Sequence, residues 1–314
     1  MKNGFAVSIC MITYNHESYI KQAIEGVLMQ KTNFDFELVI GEDCSTDHTR
    51  QICEDYAALH SQINLLHTEA NLGVMPNFFR TLEACQGKYI ALCEGDDYWI
   101  DPLKLQKQVD FLEEHKDYGL IYSKVKVFDQ KKNRFLINTK GKDVTSIEEL
   151  LIYNYIPTPT VMFRLGAHFD YIDQIKPYDK KWLMGDYPFW LYIASVTKIK
   201  YMNYPTSVYR ILENSAAHLT EFSKEILFTE SYYAIKLFFI NRLNYSHLRI
   251  NIFENLFISK AYIYIYKNEN NISDLIREIN SFEDKSIKLK HLKFLLNNWI
   301  FRKLLKLYWK IKSD

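Results

Sequence analysis

The chain lacks the features that would assign it to several protein classes. Its five cysteines, Cys10, Cys44, Cys53, Cys85 and Cys93, all fall in the first hundred residues, form no Cys-x-x-Cys pair and are odd in number. That is no disulfide framework. It reads as reduced thiols in a cytoplasmic protein, with Cys10 and Cys93 as small hydrophobes in core strands. No apolar stretch reaches the roughly eighteen residues of a membrane span, and residues 1–12 hold one lysine and too short an apolar run for a signal peptide. Neither sign of charge dominates. A net charge of +1 over 314 residues argues against a general polyanion binder, so no nucleic-acid partner is expected. No internal repeat or low-complexity tract is evident. The length suffices for one large domain or two smaller ones. Aromatic residues, at 15 %, suit clefts that stack planar rings, although core packing accounts for many of them.

What is present is organised around Tyr89-Ile90-Ala91-Leu92-Cys93-Glu94-Gly95-Asp96-Asp97-Tyr98-Trp99. An apolar run of strand length stops at three carboxylates in four positions, with one glycine to let the backbone turn closely. Carboxylates so crowded stay ionised only if hydrogen bonds, solvent or a cation compensate them. Mg²⁺ or Mn²⁺ takes one or two carboxylates and completes its shell with phosphate oxygens and water, so such a site implies a phosphate-bearing substrate. The alternative is an acidic surface turn after an edge strand.

Strand and helix patterns alternate from the start. Residues 6–12 are nearly all apolar, as in a strand buried on both faces, and end at Thr13-Tyr14-Asn15, where Asn15 is placed to cap a helix carrying Ile20, Ile24, Val27 and Leu28 on one face. A strand at 36–40 closes on Gly41-Glu42-Asp43-Cys44-Ser45-Thr46-Asp47, and a short one at 63–66 precedes Asn71-Leu72-Gly73. A helix with Pro76 in its first turn and Phe78, Leu82 and Cys85 on one face follows, stopped by Gly87. After the acidic stretch, Asp101-Pro102 opens a helix with Leu105, Val109 and Leu112 buried, residues 120–128 form a strand, and 129–143 form a surface hairpin or loop. A Pro-bounded loop runs into a strand ending at Arg164, a helix begins at Gly185-Asp186-Tyr187-Pro188, and short strands cover 199–201 and 206–210. This predicts a doubly wound α/β sheet, whose ligands bind beyond the carboxyl ends of its strands, where Tyr14, Asp43 and Asp96 all lie.

From about residue 220 the pattern changes to long helices rich in Tyr, Phe, Ile and Lys, so the boundary is placed there: 1–219 as the α/β domain, 220–314 as a helical region. Its tail interleaves Lys285, Lys288, Lys290, Lys293, Arg302, Lys303, Lys306, Lys310 and Lys312 with Phe294, Trp299, Phe301, Tyr308 and Trp309. Two readings stand: a basic amphipathic helix lying in a membrane interface, or a helix packing on the rest of the chain.

Taken in order, these residues resemble the inverting GT-A glycosyltransferases of family 2, especially bacterial enzymes of capsule, O-antigen and exopolysaccharide assembly. The likeness covers roughly residues 5–215. It rests on Ser8-Ile9-Cys10-Met11-Ile12-Thr13-Tyr14-Asn15, the Gly41 to Asp47 run, Asn71-Leu72-Gly73, Glu94-Gly95-Asp96-Asp97 with Tyr98-Trp99, Gly185-Asp186-Tyr187-Pro188 and Tyr209-Arg210. The resemblance implies a GT-A fold, a Rossmann-like, mostly parallel sheet, followed here by a helical C-terminal region. It also implies a nucleotide-diphosphate sugar donor, UDP- or dTDP-linked, a Mn or Mg divalent cation, and a glycan or lipid-linked glycan acceptor. On that reading Thr13, Tyr14 and Asn15 contact the nucleotide, with the Tyr14 ring stacked on the base or, alternatively, closing the core. Asp43 accepts the base ring N–H, or caps a helix. Asn71, Gly73, Gly95 and Asp97 line the donor site. Asp96 binds the metal, Glu94 takes the place of the first Asp of the family's Asp-x-Asp signature with one methylene more, and Asp186 is the general base or a plain helix cap. Two positions depart from the pattern. The helix after Asn71-Leu72-Gly73 carries Asn77-Phe78-Phe79-Arg80 in place of the usual Arg-Asn pair, which leaves Arg80 as a phosphate contact or a solvated helix residue. The His that often follows Tyr-Arg is here Leu212, so His218 is the substitute candidate near diphosphate or metal, and Arg210 is a phosphate contact. Tyr153, Tyr155, Thr158 and Thr160 line the acceptor side, or pack the core.

The expected activity is therefore metal-dependent inverting glycosyl transfer into bacterial surface polysaccharide, in the cytoplasm or peripherally on the cytoplasmic face of the inner membrane. Two other readings remain. A sugar nucleotidyltransferase also uses clustered carboxylates, but it usually needs a Gly-rich basic phosphate loop, and residues 13–19 hold no Gly, Lys or Arg. The other is a non-catalytic sugar-nucleotide-binding scaffold at the membrane.

Overall fold

Strand β1 (Val7–Thr13) lies inside the sheet, and six of its seven residues are buried because both faces are covered. It pairs in parallel with β2 (Phe36–Glu42) on one side and β4 (Tyr89–Leu92) on the other, and β3 (Ile63–Leu66) adds to β2. The register sets Thr13 beside Glu42 and Cys10 beside Leu92, so the loops leaving β1, β2 and β4 emerge along one rim. The structure, a computed structural model, describes residues 4–137, 139–212, 221–267, 272–282, 286–299, 301–303 and 306. The chain divides into two units, Met1–Leu212 and Glu213–Asp314.

Crossover helices α1 (Ile20–Leu28), α2 (Thr49–Leu59) and α3 (Val74–Glu83) join the parallel strands. In α1 the apolar residues Ile20, Ala23, Ile24 and Val27 recur at helical spacing, and all are fully buried. Helix α3 departs from the expected face. It buries Asn77, Phe79, Thr81 and Leu82, and Phe78 stays half-exposed. The cause is polar: Asn77 Nδ2 donates to the Gly41 carbonyl at 2.8 Å, which turns that side of the helix toward β2. Helix α3 ends before Gly87, and Cys85, buried, lies past its end.

The second half of this unit comprises β5 (Tyr98–Trp99), α4 (Lys104–Glu114), β6 (Tyr118–Asp129), β7 (Arg134–Phe135), α5 (Ile147–Ile152), β8 (Met162–Arg164), α6 (Leu165–Ile175), α7 (Asp186–Val196) and β9 (Lys198–Ile211). The sheet order is β3-β2-β1-β4-β8-β6-β9-β5, with β7 paired to β6. Parallel pairing runs through β3-β2-β1-β4 and again through β6-β9, while the short strands β5, β7 and β8 run antiparallel to their neighbours. The two short strands expected at 199–201 and 206–210 are one strand, β9, with a register shift that pairs Ser123 with Met202 and Lys124 with Pro205. Pro205 has no N–H for a regular ladder, and the irregularity accommodates it. The expected hairpin at 129–143 is anchored at both ends: β7 pairs with the end of β6, and Lys140 exchanges two backbone hydrogen bonds with Val125.

The second unit is helical as expected, with α8 (Phe222–Arg242), α9 (Arg249–Tyr266), α10 (Ile272–Ser281) and α11 (Ile287–Asn297). Its core includes Phe257, Ala261, Leu275, Ile279, Leu289, Leu292 and Leu296. Among the described residues no helix is long and apolar enough to cross a membrane. Truncating the core under β1 tests the packing: Ile24→Ala should lower unfolding free energy by about 2–5 kcal/mol, read as a lower urea midpoint with an unchanged slope.

Candidate active site

The rim is first stiffened by a frame of backbone hydrogen bonds. Past β2, the Asp43 N–H donates to the Thr13 carbonyl at 3.1 Å. The Asp43 carboxylate, 2 % exposed, accepts the N–H groups of Leu72 (2.8 Å) and Gly73 (2.9 Å), and Asn71 Nδ2 donates to the Asp43 carbonyl at 3.1 Å. Gly73, at φ 87°, opens α3 from a conformation that L side chains rarely adopt. Thr13, Asp43, Asn71 and Gly73 are thus brought together, with Tyr14 40 % exposed beside them. Asn15 does not cap α1. It takes a left-handed conformation (φ 54°), accepts the Thr46 N–H at 2.8 Å, and α1 begins only at Ile20 after a turn in which Tyr19 N–H donates to the His16 carbonyl.

The acidic loop sits against the same rim. Gly95 N–H donates to the Ile12 carbonyl at 2.9 Å, and a Cβ there would lie 2.5 Å from Thr13 Oγ1 and 3.0 Å from His16 Nδ1, so no side chain fits. Asp97 closes the turn by donating its N–H to the Glu94 carbonyl (3.0 Å), and its own carboxylate accepts the Arg210 N–H at 2.8 Å. Arg210, a residue only 5 % exposed, donates its guanidinium to the Asp96 carbonyl (2.5 Å) and to Gln22, and the guanidinium carbon lies 4.4 and 5.2 Å from the ring centres of Tyr98 and Tyr19. In this arrangement Arg210 shapes the loop. Arg80, partly buried, donates to the carbonyls of His67 and Glu42 and to Asn77 Oδ1. His218 lies outside the described residues.

Asp186 is the first residue of α7, and Gly185 precedes it. Its carboxylate accepts the Tyr187 N–H at 2.6 Å and the Thr158 hydroxyl at 2.8 Å. Thr160, expected beside the acceptor, is fully buried: its hydroxyl donates to the Pro157 carbonyl and accepts the Ser123 N–H. Tyr153 and Tyr155 hold their rings 4.8 Å apart.

Electrostatics ties these pieces into one centre. Burial, then the charges of Asp96 and Asp186, push Glu94 up to about 8. Asp97 is raised well above the carboxylate range by burial and by Asp96 and Glu94, with Arg210 opposing. Burial raises Asp186, against the hydrogen bonds from Thr158 and Tyr187. The Tyr209 hydroxyl is raised by burial and by the charges of Asp97, Asp96, Glu94 and Asp186 together. All four carboxylates thus lie near enough to shift one phenol. Sequence reasoning gave no role to Tyr209, although it stands in the Tyr209-Arg210 motif. It also passed over His16, whose Nδ1 is 3.2 Å from Thr13 Oγ1 and which senses Asp96, Asp47 and Arg210, because a single His without a spaced partner gives no signal.

Among the described residues no three His, Cys, Asp or Glu side chains are grouped to hold a metal. The site nevertheless fits a cation that takes most of its ligands from a substrate, because Glu94 Oε2 is buried without a hydrogen-bond partner beside the charges of Asp96 and Asp186. That orphaned oxygen sets a pH dependence. Between the ordinary carboxylate value of 4.5 and about 8, folded Glu94 keeps a proton that the unfolded chain has lost. Stability of the metal-free protein therefore falls as pH rises through that window. Glu94→Gln in EDTA should melt several degrees above the parent at about pH 9 and nearly match it at about pH 5. An equal melting difference at both pH values would contradict this account.

The sequence profile of glycosyl transferase family 2 matches residues 8–181, more than half of the chain. An uncharacterized protein of Mycobacterium tuberculosis, Rv1520, is 40 % identical over 168 residues, covering 52 % of this chain and 48 % of that protein, so the match spans about half of that relative's length. The putative teichuronic acid biosynthesis glycosyltransferase TuaG of Bacillus subtilis is 36 % identical over 108 residues, 34 % of this chain and 42 % of that protein. In three dimensions the chain is similar to Staphylococcus aureus TarS in complex with UDP-GlcNAc, with a TM-score of 0.57 at 19 % identity over 96 % of this chain and 88 % of that one. The order of the motifs, the sheet that carries them to one rim and the match over residues 8–181 have one explanation: the chain belongs to glycosyl transferase family 2 and carries a glycosyltransferase domain of GT-A fold.

Proposed function

We propose that the chain is a metal-dependent inverting glycosyltransferase that moves a sugar from a UDP- or dTDP-sugar to a glycan or lipid-linked glycan in bacterial surface polysaccharide synthesis. The observation that carries this reading is that the Asp43 loop and the acidic Glu94–Asp97 loop are both hydrogen-bonded to the end of β1, at Thr13 and Ile12, with Glu94 Oε2 buried and without a hydrogen-bond partner there. The UDP-GlcNAc bound by TarS and the teichuronic acid role in TuaG's name support the donor and acceptor classes.

Tyr14 presents an exposed ring for the base. Asp43 holds the Leu72 and Gly73 N–H groups, and its remaining lone pairs accept the base ring N–H, a donor that uracil and thymine provide. Asn71 and Gly73 fix the wall of that pocket, and Arg210 meets phosphate with guanidinium N–H groups not bound to Asp96 or Gln22. Mg²⁺ or Mn²⁺, when bound, would be held by Asp96 with Glu94 beside it and would stabilise negative charge on the departing nucleoside diphosphate.

Asp186 takes the proton from the acceptor hydroxyl as that oxygen attacks the anomeric carbon. Burial strengthens it as a proton acceptor, while the Tyr187 N–H and the Thr158 hydroxyl stabilise its charged form. Asp186→Asn should cut UDP release and sugar transfer by about 10²–10⁴-fold and leave donor affinity unchanged, as measured by titration calorimetry. Full activity in that variant would remove Asp186 from the role. Donor binding by the parent without turnover would favour the scaffold reading.

Contact with a membrane surface falls to α11 of the second unit. Leu289, Leu292 and Leu296 face the core of the second unit, while Ile287 and Phe294 stand 72 % and 62 % exposed at a seven-residue spacing. Phe301 continues the stripe with its ring 5.8 Å from that of Phe294, Trp299 is 59 % exposed, and Lys290 and Lys303 flank them. Residues 307–314 lie outside the description. Such a face suits an anionic bilayer. Because Leu292 and Leu296 are core residues, deleting the tail would unpack the helix, and substitutions on the outer face are the cleaner test. Phe294→Ser with Trp299→Ser should lower co-sedimentation with phosphatidylglycerol vesicles, and unchanged sedimentation would refute membrane contact.

A further inference from the structure

Asp186 is held by a turn that is anchored from four elements. In residues Thr158–Thr160 the chain makes one 3₁₀ turn, closed by the Thr160 N–H on the Pro157 carbonyl at 3.1 Å. The Pro159 carbonyl accepts Trp99 Nε1 of β5 and Ser207 Oγ of β9, both at 2.8 Å. The Thr160 carbonyl accepts Gln108 Nε2 of α4 at 2.8 Å, and Gln108 Oε1 is in turn held by Lys104 Nζ at 2.8 Å. The Ser123 N–H of β6 reaches Thr160 Oγ1 at 3.2 Å. Lys104, Gln108, Ser123, Thr160 and Ser207 are all fully buried, where each of these bonds is costly to leave unmade. One polar side chain of the turn points outward from this network: Thr158 Oγ1, which donates to Asp186 Oδ2 at 2.8 Å.

We propose that Thr158 is the positioning residue of the base, an inference that rests on Asp186 acting as that base. The Tyr187 N–H fixes one carboxylate oxygen and Thr158 the other, which leaves Asp186 a single orientation in which to meet the acceptor hydroxyl. Trp99 adds a second consequence. It follows Asp96, Asp97 and Tyr98 directly in the chain, so its bond to Pro159 ties the turn that holds the base to the loop that faces the leaving group. The two sides of the reacting sugar are thereby kept in register by one buried hydrogen bond.

The test compares Thr158→Val with Thr158→Ser, using UDP-GlcNAc and dTDP-glucose with Mn²⁺ as donor probes and water as acceptor, with release of the nucleoside diphosphate as the readout. Valine should lower kcat by about 10²-fold with an unchanged donor KM, and serine, which keeps the hydroxyl, should restore it. A parental kcat in the valine variant, or equal losses with valine and serine, would overturn the proposal. Trp99→Phe keeps the ring but removes the Nε1–H, so it serves if valine at 158 does not fold: a lower kcat at unchanged donor KM is expected, and a parental kcat overturns the link. Asp186→Asn run alongside separates the two readings. Activity in Asp186→Asn sinks the base itself, whereas an inactive Asp186→Asn beside a parental Thr158→Val sinks only the positioning role.

Discussion

Carboxyl groups buried together at the end of an apolar sheet are the constraint on which this structure depends. Glu94, Asp96, Asp97 and Asp186 come from a strand end, a tight turn and a helix start, and each shift recorded among them has burial as its first cause and, for Glu94 and Asp97, a neighbouring carboxylate as its next. Such a centre is unfavourable in isolation and becomes favourable when a cation and the diphosphate it carries are added. On the function proposed above, binding free energy would be concentrated where negative charge appears during transfer, which is where it lowers a barrier.

The scaffold holds the acidic loop in place. Arg210 bonds Asp97 through its backbone and the Asp96 carbonyl through its guanidinium, so it holds the main chain of the loop while Asp96 stays partly exposed. The rings of Tyr98 and Tyr19 add cation–π contacts to the guanidinium. On the opposite side Thr13, Asp43, Asn71 and Gly73 form a second frame, held by one backbone bond and by the Asp43 carboxylate and Asn71 amide.

Much of this was legible in the sequence because two rules act locally. Apolar runs with helical or strand spacing located β1, β2, β4 and α1, and the rule that ligands lie beyond parallel strand ends put Tyr14, Asp43 and Asp96 on one rim. What escaped depends on partners distant in the chain. The loop-holding contacts of Arg210 had no cue, because its partners Tyr19 and Gln22 lie nearly the whole domain away in the chain. Asn15 has the residue type of a helix cap, yet its side chain is claimed by Thr46 across the rim. Arg80 has no sequence cue for the carbonyls of His67 and Glu42 that it meets. Thr158 read as one of several acceptor-side residues, and only the fold singles it out through Asp186.

The central claim is that cation and nucleotide bind as one unit at this acidic centre. Its most direct test is the melting temperature of the protein with a UDP-sugar alone, Mn²⁺ alone and both together. The account predicts that the pair stabilises well beyond the sum of the two single additions, approaching about 2.7 kcal/mol at a hundredfold excess over the dissociation constant. Stabilisation by the sugar nucleotide that is just as large in EDTA as with Mn²⁺ would contradict it.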